Sequence, residues 1–114
     1  MPLVTITSNV ERAPEKVVTL LREATAIVSR ELGKPESVVM AHARLGEFLM
    51  LGGSVDPALL VEIEGLGVES EVTGALCEAF CRLGETELSV DPGRTFVKVH
   101  DVPRGQWGAD GKVF

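Results

Sequence analysis

Apolar and polar positions alternate over residues 3–7, the period-two signature of a strand. After a connection over residues 8–13, Pro14 suits the first turn of a helix. Val17, Leu20, Leu21, Ala24, Ile27, Val28 and Leu32 then recur at i, i+3, i+4 and i+7 spacing. That spacing predicts an amphipathic helix of about five turns. Gly33 ends it, and Pro35 prevents its continuation. Residues 37–44 predict a second strand, and residues 46–53 a short extension or hairpin turning at Gly52-Gly53-Ser54.

The pattern then starts again. Residues 58–64 predict a strand, Gly65-Leu66-Gly67 a tight turn, and Val72, Ala75, Leu76, Ala79, Phe80 and Leu83 a second amphipathic helix. Asp91-Pro92-Gly93 turns the chain into a strand over residues 95–101. A tail carrying Gly105, Trp107, Gly108 and Gly111 ends in Val113-Phe114.

The second half repeats the first. The strand at Leu3 returns at Leu60 and Lys34-Pro35 returns as Asp91-Pro92, each 57 positions on, which is half of the 114 residues. The chain is therefore one domain over residues 1–114, with pseudo-repeats of about 1–57 and 58–114. Two β-α-β units with crossover helices imply an α/β (α+β) fold, a four-stranded mixed sheet with two helices on one face.

Parity says what the other face carries. Val61 and Ile63 oppose Glu62 and Glu64; Val97 and Val99 oppose Phe96, Lys98 and His100; Ala41 and Ala43 oppose Met40, His42 and Arg44. A face so mixed is either open to water or lines a polar space between subunits. Glycine-rich edges favour the second, an oligomer with a wet interior.

Composition narrows the classes. A net charge of -6 without a Lys/Arg cluster argues against a nucleic-acid partner. No apolar run approaches the ~20 residues of a membrane helix, and the start lacks a signal-peptide pattern. These features predict a cytoplasmic protein without a membrane partner, or one exported without a leader.

Cys77 and Cys81, one helical turn apart, are expected to be buried helix thiols, not a disulfide, and are too few for a structural zinc. His42 and His100 are read as solvated groups on the open face, and no metal site is expected. Gly65-Leu66-Gly67 lacks the third glycine of a dinucleotide loop.

Pro2 carries the candidate chemistry. Within a chain its nitrogen does no acid–base work. Removal of Met1 frees it as a rigid secondary amine, held in place by the strand that follows. An ordinary terminal amine titrates near ~8, so modest burial or a nearby cation leaves it unprotonated at neutral pH.

Met-Pro at the start, Gly33-Lys34-Pro35 after the first helix, Gly52-Gly53-Ser54, Asp91-Pro92-Gly93-Arg94 and Trp107 near a terminal Phe together resemble the macrophage migration inhibitory factor (MIF) family of the tautomerase superfamily. The likeness runs over the whole chain. It implies the tautomerase fold, a homotrimer around a solvent channel, and active sites at subunit interfaces.

Carried over residue by residue, the resemblance makes Pro2 the catalytic general base of a phenylpyruvate tautomerase-like isomerase. Lys34 and the Leu66 backbone N–H take the carboxylate of a small aromatic α-keto acid, and Phe96 and Trp107 are aromatic walls. Read alone, Lys34 only complements a helix dipole. Phe96 stands where the family often has tyrosine, so a phenolic hydrogen bond is lost. Lys98 stands where it often has asparagine, and either assists at the site or pairs with Glu62 or Glu64. Trp107 and Phe114 otherwise pack at a subunit edge. The family's Cys-x-x-Cys falls on Ala58-Leu59-Leu60-Val61, so thiol oxidoreductase activity is not expected. No cofactor is implied, because only a proton moves. The alternative function is a cytokine-like binding or signalling protein with a vestigial pocket.

Overall fold

A computed structural model describes residues 1–114. Strand β1 (Leu3–Ser8) leads to helix α1 (Pro14–Leu32) and strand β2 (Met40–Arg44). Strand β3 (Leu59–Leu66), helix α2 (Thr73–Leu88) and strand β4 (Thr95–Val102) repeat that plan. A small hairpin, β5 (Gly108–Ala109) and β6 (Lys112–Val113), closes the chain. The sheet order is β2-β1-β3-β4, with β1–β2 and β3–β4 parallel and β1–β3 antiparallel. This is the mixed sheet of two β-α-β units expected from the repeat.

The core lies between one face of the sheet and both helices. Val4, Ile6, Val61 and Ile63 from the central strands meet Leu20, Ala24 and Val28 of α1 and Leu76, Phe80 and Leu88 of α2. Each Val, Leu, Ile or Phe among them contributes about 1.5–3 kcal/mol when fully buried. No helix is long and apolar enough to cross a membrane.

The opposite face follows the parity. Row by row across the sheet it presents Met40, Leu3, Glu64 and His100, then His42, Thr5, Glu62 and Lys98, then Arg44, Thr7, Leu60 and Phe96. Lys98 Nζ pairs with Glu62 Oε2 at 3.2 Å, and His100 Nδ1 lies 3.8 Å from Glu64 Oε2.

Several expected boundaries move, each for a local reason. The second strand starts at Met40 because Glu36–Val38 winds into a 3-10 turn closed by the Val38 N–H to the Pro35 carbonyl. Gly65 and Leu66 are strand, paired with Asp101 and Val102, so the turn falls on Gly67. Helix α2 continues past Gly84, which is buried so close to Leu59 that a Cβ would lie 2.7 Å from its Cδ2. Residues 46–53 form no strand; a single bridge, Leu51 to Ser54, spans the Gly52-Gly53 turn. Cys77 and Cys81 are free but only half-buried, at the margin of the α2 core stripe. Burial, with Cys77 beside it, pushes the Cys81 thiol upward.

Candidate active site

The site is built where three element ends meet. Its floor is Pro2, just ahead of β1. The Pro2 carbonyl accepts the Met40 N–H at 3.0 Å, so the residue is tied into the β1–β2 edge, and its ring is wholly buried. A terminus anchored this way does not fray.

One wall comes from the end of α1. Gly33 takes the left-handed conformation (φ 65°) and its N–H caps the Ser29 carbonyl. The Lys34 N–H also reaches the Ser29 carbonyl, at 3.1 Å, and the Ser29 hydroxyl donates back to the Lys34 carbonyl. The Lys34 backbone is thereby fixed while its ammonium stays exposed beside the helix C-terminus.

The other wall is the connection from β3 to α2. Leu66, Val68, Glu69 and Val72 line it, and with Pro2 and Lys34 they border a cavity of about 200 Å³. Gly65 lies beneath Pro2: a Cβ there would sit 3.7 Å from the Pro2 Cα and 2.8 Å from Val68 Cγ2.

The electrostatics suit a base. The terminal amine, carried here by Met1, is pushed below its ordinary value of 8.0, first by burial and then by the positive charge of Lys34. Both effects penalise the protonated form. Glu31 also borders the cavity, but its carboxylate is engaged by Arg30 at 2.9 Å. No group of three or more His, Cys, Asp or Glu side chains is arranged to hold a metal.

Of the residues singled out by sequence, one chain brings Pro2, Lys34 and Leu66 together. It does not bring in Phe96, Lys98 or Trp107. Phe96 is 59% exposed on the open face, and Lys98 stands there against Glu62. Trp107 belongs to the terminal hairpin, its carbonyl accepting the Phe114 N–H at 3.0 Å. Gly65, Val68, Glu69 and Val72 escaped sequence reasoning; a glycine in a Gly-x-Gly string reads as a turn residue whatever its neighbours in space.

Known proteins share this architecture. A MIF homologue of Brugia malayi is 29% identical, covering 100% of this chain and 99% of its own. A D-dopachrome decarboxylase of Gallus gallus is also 29% identical, covering 99% of this chain and 97% of its own. The crystal structure of a MIF-like protein from Entamoeba histolytica superposes with a TM-score of 0.94 at 20% identity, over 99% of this chain and 98% of that one, a likeness of fold. The family model described as macrophage migration inhibitory factor (MIF) matches residues 1–114, and with the whole-chain match the chain belongs to the MIF family.

Proposed function

We propose that this chain is a cofactor-independent keto–enol tautomerase acting on phenylpyruvate-like α-keto acids. Its general base is the Pro2 nitrogen, freed by removal of Met1. The observation that carries this is the buried Pro2 ring on the floor of a cavity bordered by Lys34, beside a Met1 amine that burial and Lys34 lower.

The steps balance without a redox partner. The neutral Pro2 amine takes a proton from the carbon next to the carbonyl, leaving an enolate. The resulting prolinium returns a proton to the enolate oxygen. Run backwards, the sequence converts enol to ketone. Lys34 and the Leu66 backbone N–H orient the substrate carboxylate, so that the reacting carbon faces the amine. The neutral amine and the Lys34 ammonium coexist because the cation itself disfavours a second positive charge beside it.

Phe96, Lys98 and Trp107 reach such a site from a neighbouring copy in a homotrimer. Two features support the assembly: β2 is an unpaired sheet edge, and Met40, Phe48, Met50 and Val55 are exposed near it or on the adjoining loop. Both call for a partner.

The test is ketonisation of enol-phenylpyruvate by protein whose intact mass shows Met1 removed, compared with Pro2→Gly. Loss of the base lowers turnover by about 10²–10⁴-fold. Undiminished turnover in the variant overturns the proposal. The cytokine-like binding reading draws on the names of the relatives. It is the one left standing if the wild-type protein does not turn over this substrate or D-dopachrome, the compound in the Gallus gallus relative's name.

A further inference from the structure

The wall facing Lys34 is held by a side chain that lies outside the cavity. Between the end of β3 at Leu66 and the 3-10 turn that starts at Ser70, the chain turns through Gly67 at φ 68°. Across this stretch the Val68 N–H donates to Asp101 Oδ1 at 3.1 Å. Asp101 stands near the end of β4, in register with Gly65.

The bond matters because of what Val68 rests on. Its Cγ2 lies 2.8 Å from where a Cβ on Gly65 would sit, and the Pro2 Cα lies 3.7 Å from the same point. Asp101 thus holds Val68, and Val68 and Pro2 crowd one point beside Gly65, with no room there for one more carbon. A contact this close passes a displacement of Val68 on to its neighbours.

We propose that Asp101 is a positioning residue of the active site: by fixing Val68 it holds the loop down on Gly65 and keeps the terminal amine enclosed. It does not border the cavity and does not touch substrate. This rests on the tautomerase reading. The charged groups around the amine are Lys34 after α1, Glu31 in its last turn and Glu69 ahead of α2. Releasing the loop leaves those charges in place and admits water, so it weakens chiefly the burial that disfavours protonation.

The experiment compares wild type, Asp101→Asn and Asp101→Ala, all free of Met1, by kcat/KM for enol-phenylpyruvate against pH and by hydrogen exchange at the Val68 amide. Asp101→Ala is expected to lower kcat/KM about tenfold or more, because small misplacements at a reacting centre are costly. Its acid limb shifts to higher pH, and the Val68 amide exchanges faster. Asp101→Asn, whose amide oxygen still accepts the bond, retains most of the activity and the wild-type limb. A fold defect alone lowers the active fraction without moving that limb.

Wild-type kinetics and exchange in Asp101→Ala, or equal damage in both variants, overturn the inference. Should Asp101→Ala not fold, Gly65→Ala displaces Val68 directly, its new Cβ lying 2.8 Å from the Val68 Cγ2, and is expected to move the acid limb likewise. Inactive wild type or active Pro2→Gly defeats the tautomerase reading instead; Val68 exchange still decides whether Asp101 holds the loop.

Discussion

The two halves of the chain build the same unit and finish it differently. In the first, α1 ends at Leu32 and Lys34-Pro35 leads through a 3-10 turn into β2. In the second, α2 ends at Leu88 and Asp91-Pro92 leads through a 3-10 turn, Pro92–Arg94, into β4. The first junction leaves its cation facing a cavity beside Pro2. The second turns its charges inward on the backbone. Asp91 accepts the Gly93 N–H at 2.8 Å, and Arg94 donates to the carbonyls of Leu51, Ser54, Asp56 and Pro57. One scaffold thus borders a cavity in one repeat and clamps a long loop in the other. Architecture alone does not make a site; the side chains placed at its junctions differ between the repeats.

Substitutions break this asymmetry in graded steps. Pro2→Gly carries the largest effect, the 10²–10⁴-fold loss already described. Lys34→Ala comes next. Losing the carboxylate partner is expected to raise KM by about tenfold or more, as for one charge-assisted hydrogen bond of roughly 1.5–3 kcal/mol. It also removes a cation that disfavours amine protonation, so the amine pKa rises. The acid limb of kcat/KM must then move to higher pH; a downward shift would show that Lys34 acts otherwise.

At the second junction, Arg94→Ala strips four carbonyls of their partner and is expected to cost about 2 kcal/mol of stability in urea melts. The chemistry at Pro2 in the folded protein should change little. Glu62→Gln closes the series. The Lys98–Glu62 pair is exposed, with 69% and 33% of the two side chains accessible, so its loss should cost less than about 1 kcal/mol.

Local signals made much of the fold legible. Pro14, Gly33 and Pro35 delimit α1 because each acts on backbone geometry at its own position. Strand parity sorted the two faces because period-two alternation survives any tertiary arrangement. The end of α2 was hidden, since Gly84 is there to admit Leu59 and not to stop the helix. Glu36–Val38 took a turn where β-branched residues promised strand.

The candidate site divides in the same way. Pro2 announces itself by position, and Lys34 through resemblance. Nothing near Asp101 in sequence reveals that it reaches Val68, because 33 residues and a whole helix separate them. Phe96 and Lys98 were rightly placed on the open face by parity, yet a single chain leaves them away from Pro2.

The proposed chemistry requires the Pro2 nitrogen to be a free base at neutral pH. The direct measurement is an NMR titration of Met1-free protein carrying ¹⁵N-proline, read beside the pH profile of kcat/KM. The Pro2 nitrogen is expected to titrate below neutral pH, in step with the acid limb. A Pro2 nitrogen still largely protonated at neutral pH, or an acid limb that follows another group, overturns the proposal.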